Sequence, residues 1–130
     1  MIVYIATKWE NRQAAADLAE RLERNSESTY VTRKWWNDKE TINADVAPEI
    51  AAQKFPGIAR LDMRGVEDAD VFILLATEEF GPMRGALVEL GIALVSSLIV
   101  YVVGELPQNV FFYHPRIEHV TIEQVIKSLT

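Results

Sequence analysis

VFILLATEEFGPMRGALVELGIALVSSLIVYVVG, residues 71–104, is the stretch that decides the fold. Its opening, Val71–Ala76, is apolar at every position, as a strand covered by helices on both faces should be. A loop rich in Glu, Gly and Pro follows from Thr77 to Arg84, then a helical pattern from Gly85 to Ser96 and another doubly apolar strand from Leu98 to Val103. Between Gly85 and Gly104 the only charge is Glu89, and a run of that length is long enough to span a bilayer. Ser96-Ser97 divides it into a helix-like half and a β-branched half, so the preferred reading is a buried helix leading into a central strand.

Working outward, Ile2–Ala6 is a short apolar run of strand type, and Asn11–Arg24 is an amphipathic helix with Ala15, Leu18, Ala19 and Leu22 on one face. Tyr30–Trp35 fits a second strand. Asn37–Asn43 is polar and loops out, helical patterning runs from Ala44 to Phe55, and Pro56-Gly57 interrupts it before a further helical piece through Ile58, Leu61 and Val66. Beyond residue 104 the sequence predicts a loop over Gly104–Asn109, a last short strand at Val110–Tyr113 and a closing helix over Thr121–Leu129. Thr121 there is the N-cap, with Gln124 three residues on.

Strands alternating with helices predict one α/β domain over residues 1–130, flavodoxin-like and doubly wound: a mostly parallel sheet of about five strands with helices on both faces. Ligands in such sheets sit beyond the C-terminal strand ends, at the switch point. The loops Thr7–Asn11, Thr77–Arg84 and Gly104–Asn109 reach that edge.

Composition narrows the chemistry. With 130 residues and 49% apolar content the chain can build one core. Its net charge is -6 and no segment gathers Lys and Arg into a stripe, so polymeric nucleic acid is not the expected partner, whereas a free nucleoside or nucleotide is allowed. No cysteine is present, and His114 and His119 alone make a poor start for a zinc site, so no metal is expected. The N-terminus lacks a basic leader, and the expectation is a cytoplasmic protein with no membrane partner. The strand-one loop, ATKWEN, has no glycine, and no Walker loop appears; no cofactor is expected.

What stands out instead is a set of spaced carboxylates. Glu89 sits among apolar neighbours about one helical turn past a loop at the functional edge. Desolvation there would raise its pKa and sharpen it as a nucleophile. Alternatively Gly85, Glu89 and Ser96 form the solvent stripe of the helix. Asp62 and Asp70 flank a helix end and a strand start, where a surface position or a capped strand entry accounts for them equally well.

Three blocks taken together resemble the nucleoside 2-deoxyribosyltransferases. They are Val3-Tyr4-Ile5-Ala6 followed by Trp9 and Arg12-Gln13; Asp62-x-x-Gly65-Val66-x-x-x-Asp70 before an apolar strand; and Val88-Glu89-Leu90-Gly91-Ile92-Ala93-Leu94 before the next strand. They occur in the family's order and cover a little under half of the chain. The resemblance implies that Glu89 attacks the anomeric carbon, Tyr4 orients that carboxylate, and Asp62 binds the base or helps to protonate it. Asp70 matches the acid at the family's strand entry, counted with the substrate-binding positions although its role there is inferred to be structural.

The implied chemistry is that of a retaining glycoside cleavage: a covalent 2-deoxyribosyl intermediate that a second base or water resolves. The substrate-binding set it suggests also takes in Thr7, Lys8, Trp9, Arg84, Gly85 and Asn109, the last supplied to a neighbouring subunit's site in at least a homodimer. The loop before the Glu89 helix departs from the family, ending in Arg84 where further acids are usual. With Lys8, that cation either receives a 5′-phosphate, as in the related 2′-deoxynucleoside 5′-monophosphate N-glycosidases, or is an ordinary surface charge. Of the paired Trp35 and Trp36, one ring is expected in the core and the other over a pocket or interface. His114, before a proline, reads as a loop residue. Two other classes stay open: a non-catalytic nucleotide sensor that keeps Tyr4 and Asp62, and an interaction domain with no small-molecule site.

Overall fold

In the computed structural model, which describes residues 1–38, 46–79, 81–105 and 109–130, the doubly apolar runs form the middle of the sheet. β1 (Ile2–Ala6), β3 (Val71–Ala76) and β4 (Ile99–Gly104) lie side by side, Tyr4 opposite Phe72 and Phe72 opposite Val100. All of β3 is buried. β2 (Tyr30–Val31) joins β1, and β5 (Ile117–Val120) joins β4. Every pairing is parallel and the order is β2-β1-β3-β4-β5, the flavodoxin-like arrangement that the sequence predicts. From β1 the chain crosses first to β2 on one side and then back to β3 on the other. The connections leaving β1 and β3 therefore diverge at the C-terminal edge and open a crevice between them.

α1 (Arg12–Asn25), entered through a 3₁₀ turn at Trp9–Asn11, buries the expected face of Ala15, Leu18, Ala19 and Leu22. It packs with α4 (Ile122–Leu129), while α2 (Pro48–Glu67) and α3 (Arg84–Val95) pack against each other. α4 opens with the predicted capping box: the Thr121 hydroxyl accepts from the Gln124 amide at 3.1 Å and the Gln124 carbonyl from the Thr121 amide at 2.8 Å. The apolar run 85–104 divides at its serines. α3 ends at Val95, Ser97 takes a φ of 62°, and the chain enters β4. Arg116 donates to the carbonyl of Leu94, an orphan acceptor in the last turn of α3, and to that of Leu98 just before β4. Among the described residues no helix is long and apolar enough to cross a membrane.

Three local readings are corrected. β2 is only Tyr30–Val31, because Trp35–Asn37 winds into a 3₁₀ turn that buries Trp35. Pro56 does not interrupt α2: it lies on the exposed side of the helix with Ala52, where water can serve the carbonyl that loses its amide partner. Val110–Tyr113 is a 3₁₀ turn with only Phe112 buried, and the last strand is the more polar Ile117–Val120. Most of the loop expected at 37–43, the start of the helix expected from Ala44, residue 80 and residues 106–108 lie outside the described residues.

Candidate active site

Tyr4 is fully buried in β1, its ring stacked on that of Phe72 at 5.9 Å. The register that sets Tyr4 beside Phe72 turns both rings toward the α2–α3 layer, where the phenol donates a hydrogen bond to the Glu89 carboxylate. Glu89 projects from α3 close to the buried Ala86, Leu90 and Ala93 and lines a cleft at the switch point. It is therefore not part of a solvent stripe. Burial pushes its carboxyl up to about 7; the hydrogen bond from Tyr4 and the charge of Arg33 pull it back, and Asp62 pushes it up. Burial, then the charge of Glu89, holds the Tyr4 phenol far above its ordinary range, so it stays a donor.

Asp62, on α2, lines the same cleft. Its carboxyl is pushed up by burial and pulled back by Arg33, whose Nε donates to Oδ1 at 2.9 Å. The two terminal nitrogens of Arg33 grip Asp38 in a fork at 2.8 and 2.7 Å.

The cleft is lined by Thr7, Trp9, Trp35, Asp62, Gly85, Ala86 and Glu89, is open to solvent and has a volume of about 210 Å³. Trp35 is fixed by an indole N–H bond to the Ile5 carbonyl at 2.7 Å, and the Trp9 ring lies 6.3 Å from it. The Arg12 guanidinium lies over Trp9 at 4.4 Å. The lining of the cleft thus combines two carboxylates with two indoles. The Thr7 hydroxyl donates to the Leu75 carbonyl at 2.7 Å and accepts from Asn11 at 3.1 Å, tying β1 to β3 beneath the cleft. Among the described residues no group of three or more His, Asp and Glu could hold a metal ion.

The structure thus brings Tyr4, Thr7, Trp9, Asp62, Gly85 and Glu89 to one place. Asp70 is not among them. It stands at the opposite sheet edge, where its carboxylate accepts from the Ile2 amide at 2.8 Å and ties β3 to β1, so the substrate-binding position expected for it is withdrawn. Asn109 caps the Val110–Tyr113 turn and lines an apolar hollow with Leu87, Leu90 and Leu94 rather than the Glu89 cleft of its own chain. Arg84 is exposed as the first residue of α3. Lys8 is only 6% exposed, and its ammonium has no hydrogen-bond partner among the described residues. Arg33, Asp38 and the role of Gly65 are new here: nothing in TRKWWND marks an arginine that reaches across to a helix thirty residues on.

No family model matches the chain, and no curated protein does. Solved structures do. The CMP N-glycosidase BcmB of Clostridium botulinum superposes with a TM-score of 0.63 at 13% identity, over 99% of this chain and 98% of that one. A conserved protein of Enterococcus faecalis gives 0.68 at 13%, over 99% and 96%. The 2-deoxyribosyltransferase of Bacillus psychrosaccharolyticus gives 0.65 at 14%, over 99% and 96%. At such identities the likeness establishes a shared fold along the whole chain.

Proposed function

We propose that this protein is an enzyme of the nucleoside 2-deoxyribosyltransferase family that breaks the N-glycosidic bond of 2′-deoxynucleosides and passes the sugar to a second base. The observation that carries the reading is the Glu89 carboxylate, half-buried in the wall of a switch-point cleft and held by the Tyr4 phenol. It is supported by the fold shared with a deoxyribosyltransferase and an N-glycosidase.

In the reaction, a carboxylate oxygen of Glu89 attacks C1′ as the C1′–N bond breaks and its electron pair leaves with the base. A nitrogen of the acceptor base then attacks C1′, the glycosyl ester breaks, and Glu89 returns as a carboxylate. Tyr4 holds the reacting oxygen in line, Trp9 and Trp35 flank the base, and Asp62 faces it. An apolar face formed by α3 and the Val110–Tyr113 turn, with Val88 66%, Val95 84% and Phe111 62% exposed, pairs two copies and brings Asn109 toward the neighbouring cleft.

A second reading has its own observation. The buried ammonium of Lys8, without a hydrogen-bond partner among the described residues and between two cleft-lining residues in sequence, favours an anionic substrate, that is, hydrolysis of a 2′-deoxynucleoside 5′-monophosphate with water in place of the acceptor base.

One experiment separates these. The protein is incubated with each deoxynucleoside and deoxynucleotide, with and without a free acceptor base, and the released and exchanged bases are quantified. Base exchange that needs the acceptor supports transfer, and base release without it supports hydrolysis. Binding with no turnover by the wild-type protein would remove the enzymatic reading in favour of a sensor. Glu89→Gln must abolish turnover while the fold stays intact, and activity within a few-fold of wild type would exclude Glu89 as the nucleophile.

A further inference from the structure

Arg33 lies outside the lining of the cleft, yet its Nε is committed to Asp62, which lines it. The φ of Arg33 is 48°, in the left-handed region that a residue with a side chain occupies only where surrounding contacts fix it. The contact is with Gly65 of α2: a Cβ built there would lie 2.7 Å from Arg33 Cβ and 2.9 Å from Tyr4 Cε2. The missing side chain is what lets Arg33 and Tyr4 press against the same turn of α2, one helical turn from Asp62. The guanidinium is largely enclosed, its side chain 13% exposed, and spends its terminal nitrogens on Asp38 and its Nε on Asp62 Oδ1. The other oxygen of Asp62 has no hydrogen bond among the described residues, and Asp62 lines the cleft.

We propose that Arg33 is a positioning residue for the glycosyl chemistry: gripped by Asp38, it locks one oxygen of Asp62 and leaves the other turned to the cleft as a fixed hydrogen-bond acceptor for the base. The inference rests on the reading of the cleft as a glycosyl-transfer site. The charged and titratable groups around Asp62 are Arg33, Asp38, Tyr4 from β1 and Glu89 from α3. Of these only Arg33 is a cation, and it acts more closely on Asp62 than on Glu89, because only Asp62 is hydrogen-bonded to it. Arg33 thus favours the charged form of Asp62 against the burial that disfavours it. With the cation gone, two desolvated carboxyls share one cleft and both are driven toward the neutral form.

The test compares wild type with Arg33→Gln, Arg33→Lys and Asp38→Asn. Three readouts are followed: kcat and KM for a 2′-deoxynucleoside across pH, the carboxyl ¹³C shift of Asp62 across pH, and the melting temperature. For Arg33→Gln the expected result is an Asp62 titration moved to higher pH and a KM at neutral pH raised about ten- to a hundredfold, the loss typical of a charge-assisted hydrogen bond. Arg33→Lys keeps the charge but not the fork, so it should restore the titration and leave KM raised. Asp38→Asn, which loosens the grip and keeps the Nε bond, should fall between wild type and Arg33→Gln. An Asp62 titration unchanged in Arg33→Gln overturns the proposal, as does a loss of rate that follows the melting temperature with KM and the pH profile untouched. If the wild-type protein releases no base, the glycosyl-transfer reading fails, and the ¹³C titration still decides whether Arg33 favours the charged form of Asp62.

Discussion

Glu89→Gln should make this protein more stable, increasingly so as pH rises above about 4.5. Burial raises the Glu89 carboxyl from an ordinary 4.5 to about 7, so the folded state binds its proton more tightly than the unfolded chain does. For a carboxyl raised on folding, stability falls as pH climbs from the unfolded pKa to the folded one, and the full cost persists above it. Below 4.5 both states are protonated and nothing is lost. With those two values the cost to the wild-type protein is about 0.8 kcal/mol at pH 5 and about 3.3 kcal/mol at pH 8. The amide that Glu89→Gln introduces does not titrate, fills nearly the same volume and still offers a carbonyl oxygen to the Tyr4 phenol.

The stability difference between variant and wild type should therefore grow by about 2.5 kcal/mol between pH 5 and pH 8. Unfolding entropy near 0.27 kcal/mol/K for a chain of about this size turns that into a gain of about 9 °C in the difference between melting temperatures. Calorimetric or fluorescence melts of both proteins in matched buffers, spanning about pH 4.5 to 8.5 so as to bracket both pKa values, provide the measurement. The same group should appear independently in the kinetics, as an acid limb of kcat/KM near pH 7 in the wild-type enzyme. A melting difference flat across that range would refute the reasoning: the carboxylate would be solvated, and its activation as a nucleophile would lose its physical basis.

Other changes probe the surrounding parts. Tyr4→Phe removes the donor to Glu89 and should lower kcat about ten- to a hundredfold, with the acid limb moving to higher pH because the bond favours the charged form; an unmoved limb would show that the phenol does not serve Glu89. Gly65→Ala places a methyl within about 3 Å of Arg33 and Tyr4 and should cost about 1–3 kcal/mol in urea unfolding, whereas wild-type stability would mean that α2 yields there without strain. Lys8→Met should leave stability unchanged or higher, since it removes a buried charge with no hydrogen-bond partner among the described residues; if the substrate is a monophosphate, it should also weaken binding of the nucleotide about tenfold more than of the nucleoside. Val95→Glu with Val88→Lys should turn a dimer into a monomer in sedimentation, and a wild type that is already monomeric would remove the α3 face as an interface.

The fold was legible because its decisive elements are written in hydrophobic pattern. Val71–Ala76 and Ile2–Ala6 are strands at the predicted bounds, and the Ser96-Ser97 break falls where helix gives way to strand. The departures share one cause: composition speaks where geometry decides. Val110–Tyr113 is strand-like in composition, yet it sits outside the sheet with three of its four side chains reaching water. Ile117–Val120 is an edge strand in which only Ile117 is buried and Glu118 and His119 are exposed, so its apolar signal is faint. Pro56 reads as a breaker only if the helix face it occupies is buried, and sequence does not say which face that is.

The site was legible only in part. Glu89 could be singled out because a lone carboxylate in an apolar helix is conspicuous, but whether it faced water or a cleft depended on β1 passing beneath α3, a long-range fact. Asp70 and Asp62 looked alike in sequence, each a carboxylate at the boundary of an element. They differ because one precedes β3, at the N-terminal edge where a parallel α/β sheet builds no ligand site, while the other lies inside α2, opposite Arg33. Arg33 itself could not be found from spacing, since its meaning comes from Gly65. A glycine in a helix usually costs stability, and here the gap it leaves is what admits the arginine that pairs with the neighbouring acid. The Asp-x-x-Gly pattern at 62–65 is thus a single device: an acid for the cleft and, three residues later, the space for the cation that hydrogen-bonds it.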